Sequence, residues 1–481
     1  MAEQTWDLVV LGGGAAGNGG ARLAGKLGFK TALVERDRLG GTCTWVGCVP
    51  SKALLQAAAT HWRLLHGPGF GIALPNASPD PAGALEWVRE ITNRIGAGPK
   101  EQHLAKQGVE LLRDTAVFED EHTVRVGGQL LAAKRILIAT GSRPARPHIE
   151  GLEQTRCLTN LTLFDLPRPP RSMIIIGAGS IGMEISQAFN RLGTQVTVLE
   201  ATGRVMPRDD AELAEQLRQH LEAEGVQFAL NTQVRRVEPT PGGGRTCNAL
   251  VRGDERSFEA EELLIATGRE PEVADLRLER AGVACQEDGI RVNEQLQTSN
   301  PRIYAAGDVI GRWPFTHMAT LEGKLAARNA LLDEHEPMNY TAAGWCTFTD
   351  PELASVGINE AQAQERGIEH EVYRIKPELL DRARIEGRPA GMAKIIAEPN
   401  GGRIFGAQIL AARAGELIQE FVAAIAHGIP FRALAHDVHP YPTLSLAHYV
   451  PGQVDWLKAM HEPDWPGRLR REGGFVGRSD D

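Results

Sequence analysis

Cysteine is scarce in this chain, with six among 481 residues. That excludes a disulfide-stapled scaffold, and in a reducing compartment a close Cys pair points to catalysis or metal binding before architecture. Long apolar runs are missing as well. None reaches the roughly 18 residues that cross a bilayer, so no membrane partner is expected. Positive charge is not in excess: the formal charge is −9, which argues against nucleic acid or an anionic membrane as the main partner. No tandem repeat of short period is present. No leader is expected, because the N-terminus runs almost at once into an apolar strand, Asp7 to Leu11. The cytoplasm is the expected compartment.

The composition is that of a globular protein, 42% hydrophobic and 23% charged. Its length is too great for one core, and two to four domains are expected. The 53 glycines gather at turns between strands and helices. Two of these turns echo each other, and each is followed later by an Ile-Ala-Thr-Gly strand, the mark of a duplicated nucleotide-binding unit.

The first turn is Gly12-Gly-Gly14-Ala-Ala16-Gly17. A buried parallel strand precedes it, a small-residue helix from Ala16 to about Leu27 follows, and a second strand, Thr31 to Val34, ends at Glu35. This is G-x-G-x-x-G in its proper setting: Gly12 for the tight turn, Gly14 for backbone approach to a pyrophosphate, Gly17 for helix-on-strand packing. The helix N-terminus offers free N–H groups to the phosphates, and Glu35 can accept from ribose hydroxyls. The second turn is Gly177-Ala-Gly179-Ser-Ile181-Gly182, with a strand from Ser172 to Ile176 before it and one from Gln195 to Leu199 after it, ending at Glu200. Two nucleotides are therefore expected. An acid at the end of the second strand prefers a free 2′-OH, so NADH is favoured over NADPH. Arg204 and Arg208 keep NADPH possible.

Between the two turns lies Gly40-Gly41-Thr42-Cys43-Thr-Trp45-Val-Gly47-Cys48-Val-Pro50-Ser-Lys52. In a regular helix, five residues rise about 7.5 Å, and a disulfide needs Cα atoms within about 6.8 Å. A bridge thus requires a distorted turn, which Gly41 and Gly47 supply. Lys52 and a helix N-terminus can lower a thiol pKa. On spacing alone, a redox pair, buried structural thiols and half of a zinc site all stay open, although no second ligand pair for zinc is visible.

The same string resembles the active-site segment of the class I pyridine nucleotide–disulfide oxidoreductases, a family that includes lipoamide dehydrogenase, glutathione reductase and mercuric reductase. One departure is Trp45, where several members carry Asn. The resemblance implies an α/β fold with two Rossmann-like domains, for FAD and NAD(P), plus a C-terminal α+β dimerisation domain. The expected limits are 1–150 and 272–339 for the FAD domain, 151–271 for the NAD(P)H domain, and 340–481 for the dimerisation domain with a tail. It implies that Cys48 is the thiolate against the flavin, that Cys43 is the exchange thiol, and that Lys52 pairs with Glu184 beside the flavin ring. Ile136-Leu-Ile-Ala-Thr140-Gly141 and Leu263-Leu-Ile-Ala-Thr-Gly268 resemble the family's crossover segments. Ile303-Tyr-Ala-Ala-Gly307-Asp308 resembles its second FAD motif, with Asp308 on the ribityl chain. Gly41, Thr42, Thr140, Gly141, Gly268 and Gly307 join the two glycine turns as expected cofactor contacts. His317 and Met318 are read as packing residues, and Cys157, Cys247, Cys285 and Cys346 as buried thiols.

The C-terminal third departs from the pattern of relatives that reduce disulfides. Their acid–base is a His–Glu pair supplied by the partner subunit of a homodimer. Here His439-Pro-Tyr441-Pro-Thr-Leu-Ser-Leu446 puts Tyr441 at the His position and Leu446 at the Glu position. A phenol of pKa near 10 is a poor base; His439, two residues earlier, is the nearest substitute, although a lone His at such a place is more often structural. Mercuric reductases also carry Tyr there but deliver metal through a C-terminal Cys pair, and no Cys follows Cys346. The tail with Trp456, Trp465 and Arg468–Arg471 has no assigned role. The expected activity is transfer of electrons from NAD(P)H through FAD to Cys43–Cys48 and on to a disulfide, a metal ion or a small oxidant; no resident metal is expected. The alternatives are a dihydrolipoyl dehydrogenase and a flavoprotein redox subunit or sensor acting on a partner protein.

Overall fold

The computed structural model describes residues 5–66, 80–98, 100–332, 334–434 and 437–445. They fall into two compact units, one of residues up to 205 with 221–339, the other of 206–220 with residues from 340 onward.

The first unit holds two sheets, each with a parallel core built around one glycine turn, and the larger one carries two antiparallel strands, Thr123–Val126 and Ala116–Phe118, at its edge. In the larger sheet Trp6–Leu11 lies between Thr31–Val34 and Gln129–Ile138, with Val109–Leu112 beyond Thr31–Val34. Ile303–Ala305 returns from late in the chain to pair in parallel with the end of Gln129–Ile138. The core residues of these strands are buried on both faces, which explains their unbroken apolar runs. The second sheet repeats the pattern with Gln227–Ala229, Gln195–Leu199, Ser172–Ile176 and Glu262–Ile265, all parallel. A three-stranded antiparallel meander, Thr232–Pro239, Arg245–Val251 and Asp254–Ala260, adjoins it in sequence. The two crossover segments pair with each other, Ser142–Pro144 against Arg269–Pro271. The four strands that flank the glycine turns match the sequence reading to within a residue, while the strand expected from Ile136 begins at Gln129; the helices begin at Ala15 and Ser180.

The second unit is a five-stranded antiparallel sheet in the order Gly344–Thr347, Glu352–Gly357, Ile404–Ala411, Met392–Ala397, Glu371–Ile375. The helix Ala414–His427 lays Ile418, Phe421 and Ala424 on it. Residues 206–220 join this unit through polar anchors: Trp345 Nε1 and Ser355 Oγ donate to Asp209 Oδ1 at 2.8 and 3.2 Å, and buried Lys394 pairs with Asp210 at 2.8 Å. Among the described residues, no helix is long and apolar enough to cross a membrane.

Candidate functional site

Both glycine turns are dictated by the strand beside them. Gly12 sits at φ +103°, and a Cβ there would lie 2.4 Å from the Ala139 carbonyl oxygen. Gly177 repeats this at φ +105° against the Ala266 oxygen, at 2.5 Å. Each turn is therefore wedged against the Ala of an Ile-Ala-Thr-Gly strand, which accounts for the echo in the sequence. Gly17 and Gly182 have no room for a Cβ against the carbonyls of Gly12 and Gly177. Gly14 and Gly179 have nothing within 4 Å of theirs. These last two open on the first helical turns that begin at Ala15 and Ser180, which carry no side-chain caps. Uncapped N–H groups beneath open backbone are what a pyrophosphate needs, so the residues present fit one dinucleotide in each turn. Ala16 and Ile181 belong to those first turns.

The strand-end acids have a second task. Glu35 accepts from the Gly13 and Asp37 amides, both at 2.7 Å. Glu200 accepts from the amides of Ala178 and Thr202, at 2.8 and 2.9 Å, and from the Thr202 hydroxyl at 2.9 Å. They lock the glycine turns, and each carboxylate keeps acceptor capacity for a ribose on at least one oxygen.

The redox segment breaks as its glycines required. A short helix, Gly41–Trp45, stops at Val46 (φ −141°), and a new helix, Cys48–His66, starts two residues later. A Cβ on Gly47 would lie 2.8 Å from the Thr42 oxygen, and one on Gly41 would lie 2.9 Å from Gly14 Cα. The segment thus folds back on itself while touching the first dinucleotide turn. Cys43 and Cys48 are both free thiols. A hydrogen bond from Cys43 pulls the Cys48 thiol down to about 6, with the Thr316 hydroxyl and Lys52 adding to the effect against desolvation. The same bond, with burial, pushes Cys43 up. Lys52, one helical turn past Cys48, reaches Glu184 with Nζ 2.9 and 2.7 Å from its two oxygens.

Trp45 occupies its unusual place by stacking. Its Nε1 donates to the Leu39 carbonyl at 2.9 Å, the Arg38 guanidinium lies 4.2 Å from the ring centroid, and a Cβ on Gly96 would meet the indole at 2.2 Å. Asp308 accepts from Ser142 Oγ at 2.6 Å and pairs with Arg269 at 3.0 Å, so both crossover segments hold it. Gly307, at φ +82°, donates to buried Glu322 at 2.7 Å, and Thr140 Oγ1 donates to the Glu272 carbonyl at 2.7 Å. Gly141 and Gly268 turn at φ +77° and +132°.

In the second unit, His439 has a carboxylate partner that the sequence did not suggest. Its Nε2 lies 2.9 Å from Glu420 Oε1 and its Nδ1 3.0 Å from the Asp437 carbonyl. Exposed Tyr441 donates to Asp381 at 2.8 Å, and that bond pushes its phenol up. Leu446, Trp456, Trp465 and Arg468–Arg471 lie outside the described residues.

Two expectations need correction. Met318 is buried, but His317 is exposed and stacks on Phe315, so the two do not share a packing role. Cys247 is buried and Cys157 and Cys346 are half-buried, but Cys285 is exposed on a two-residue surface strand. The sequence reading also passed over Thr316, whose Oγ1 is 3.3 Å from Cys48 Sγ. Its only signal was a small hydroxyl residue opening the helix after the Gly307–Asp308 turn.

The pyridine nucleotide-disulphide oxidoreductase family model matches residues 6–323, and the dimerisation domain of the same family matches residues 344–449. The chain is similar to a mercuric reductase of Bacillus cereus, at 34% identity over 92% of this chain and 70% of that one. It is similar to the same degree, 34%, to a dihydrolipoyl dehydrogenase of Bacillus subtilis, over 91% of this chain and 94% of that one. Among solved structures it resembles the Cu(II) complex of the HOCl-induced flavoprotein disulfide reductase RclA from Escherichia coli. That match has a TM-score of 0.84 and 27% identity, covering 94% of this chain and 99% of the other.

Proposed function

The chain belongs to the pyridine nucleotide-disulphide oxidoreductases, FAD-dependent enzymes that draw on NAD(P)H, and on that premise we propose that Cys43 and Cys48 hand the electrons to a soft metal ion or a small oxidant. The observation that carries this reading is the cluster of Cys43, Cys48, Lys52 and Glu184, with the Cys48 thiol pulled down to about 6. A thiolate at neutral pH is both the reactive nucleophile and the metal-binding form.

In this reading residues 1–150 and 272–339 hold FAD, 151–271 hold the nicotinamide nucleotide, and 340–481 form a homodimer. The amides after Gly12 and Gly14 receive the flavin nucleotide's pyrophosphate, Glu35 its ribose, and Asp308 its ribityl chain, with Gly41, Thr42, Thr140, Gly141 and Gly307 around them. Gly177, Gly179, Ile181, Gly182, Glu200 and Gly268 receive the nicotinamide nucleotide. NADH is favoured, because a 2′-phosphate would face the Glu200 carboxylate. Bound FAD would supply the two-electron relay between nicotinamide and dithiol. Lys52, fixed by Glu184, keeps a positive charge one turn from Cys48. When the dithiol closes to a disulfide, it releases two electrons and the thiol protons. One Hg(II) becomes Hg(0), two Cu(II) become two Cu(I), or an external disulfide takes both electrons with two protons.

Metal ions rank first because Tyr441 is a poor proton donor–acceptor for thiol exchange, and because RclA has been solved as a Cu(II) complex. A dihydrolipoyl dehydrogenase is the second reading, favoured by the His439–Glu420 pair. Rapid mixing of the reduced enzyme with Hg(II), Cu(II), lipoamide and glutathione disulfide separates them. The metal ions are expected to reoxidise it fastest. Lipoamide turnover on the order of hundreds per second would reverse the ranking.

A further inference from the structure

We propose that Thr316 is a positioning residue for the dithiol: its hydroxyl, 3.3 Å from Cys48 Sγ, holds the negative charge of the reduced pair on Cys48. The inference rests on the dithiol reading above and adds to it a hydroxyl that favours the charge on Cys48.

A thiolate has no proton to give, so with Cys48 ionised the Thr316 hydroxyl must be the donor in this contact. The hydroxyl has one proton to give, and its contact is with the Cys48 sulfur. Cys43 keeps its own proton and directs it at Cys48. Two donors thus converge on Cys48. Hydrogen bonds to an ionised acceptor are about twice as strong as neutral ones, so both donors favour the charge there.

The hydroxyl is held by packing. Thr316 is the first residue of the helix Thr316–Leu331, whose N-terminus adds a partial positive charge on the same side. Six residues on, buried Glu322 takes the Gly307 amide at 2.7 Å. At Gly323 a Cβ would lie 2.1 Å from the Ala16 carbonyl oxygen, so this helix and the helix Ala15–Lys26 touch backbone to backbone. The helix that presents Thr316 to the sulfur is thus keyed to both glycine-containing segments expected to cradle the flavin. In the disulfide state neither sulfur is charged, and the bond loses most of its strength. Thr316 therefore favours the reduced pair and raises its reduction potential.

The test uses the full-length, flavin-loaded enzyme, reduced under anaerobic conditions, as wild type, Thr316→Val, Thr316→Ala and Thr316→Ser. Iodoacetamide alkylation of Cys48, located by peptide mass spectrometry, is followed against pH. Val and Ala are expected to move the midpoint up by about one pH unit, a tenfold loss of thiolate stabilisation. Ser is expected to restore it. The dithiol potential should fall by about 30 mV for that tenfold change. Ala gives the same readout without the branched bulk of Val, so a folding defect in Val alone does not obscure it. An unchanged midpoint in Val or Ala, with thiolate–flavin charge-transfer absorbance intact, overturns the role of Thr316. Loss of that absorbance from wild type overturns the dithiol reading instead.

Discussion

Lys52 and Glu184 stand 132 residues apart in sequence, yet Lys52 Nζ bonds both oxygens of the Glu184 carboxylate, at 2.9 and 2.7 Å. The contact joins the helix that begins at Cys48 to the helix that follows the second glycine turn. Glu184 is only 6% exposed and Lys52 36%. Replacing Lys52 with Met strands a buried carboxylate. Breaking a fully buried pair costs about 3–5 kcal/mol, and partial exposure of Lys52 lowers the expectation to about 1–2 kcal/mol. Denaturant midpoints should show Lys52→Met with Glu184→Gln costing less than the sum of the single changes. Additive costs would mean that the pair does not act as a unit.

The thiol pair gives a pH signature. Cys48 is reactive as the thiolate, so its alkylation should be slow at pH 5, rise through about 6 and level off by pH 8. Cys43→Ser replaces the thiol that bonds Cys48 with a hydroxyl, and the midpoint should move while charge-transfer absorbance persists. A midpoint near 8.5, the free-thiol value, in wild type would contradict the assigned network.

Trp45 and Gly96 offer a packing test. Gly96→Ala drives a methyl into the indole. Overpacking of this kind costs about 1–3 kcal/mol. Trp45→Ala in the same chain should recover most of that loss in thermal unfolding, because the clash partner is gone. No recovery would mean that the cost of Gly96→Ala lies in its backbone.

The second unit has its own buried ion. Lys394 is 4% exposed and contacts Asp210, Glu212 and Glu360 at 2.8, 3.2 and 2.7 Å. Lys394→Met leaves Asp210, also 4% exposed, without its cation. A loss of about 3–5 kcal/mol is expected, read as a lower denaturant midpoint. A loss below about 1 kcal/mol would show that water repairs the site.

What could be read in advance follows from where each constraint lives. Gly12 and Gly177 were legible because a backbone wedged against Ala139 or Ala266 leaves no residue but glycine. The strands around them were legible because parallel strands buried on both faces are unbroken apolar runs. Lys52 and Glu184 were matched only through the resemblance, since neither spacing nor composition links them. Thr316 was not legible: its sulfur partner is 268 residues away, and many small polar residues open helices. Glu420 was missed for the same reason, being one of two acids on an amphipathic helix whose partner His439 comes from a later loop. Cys285 misled because cysteine usually counts as a buried apolar residue, while here the strand that carries it is two residues long and at the surface.

The central claim is that Cys48 is a thiolate coupled to the flavin. Anaerobic titration of the purified flavoprotein with NADH, repeated with Cys48→Ser, tests it most directly. Wild type is expected to develop a long-wavelength thiolate-to-flavin absorbance that Cys48→Ser lacks, and that decays when Hg(II) or Cu(II) is added. Direct bleaching of the flavin in both proteins, with no such absorbance in either, would mean that the dithiol is not in the electron path and that the enzyme is a plain flavin reductase.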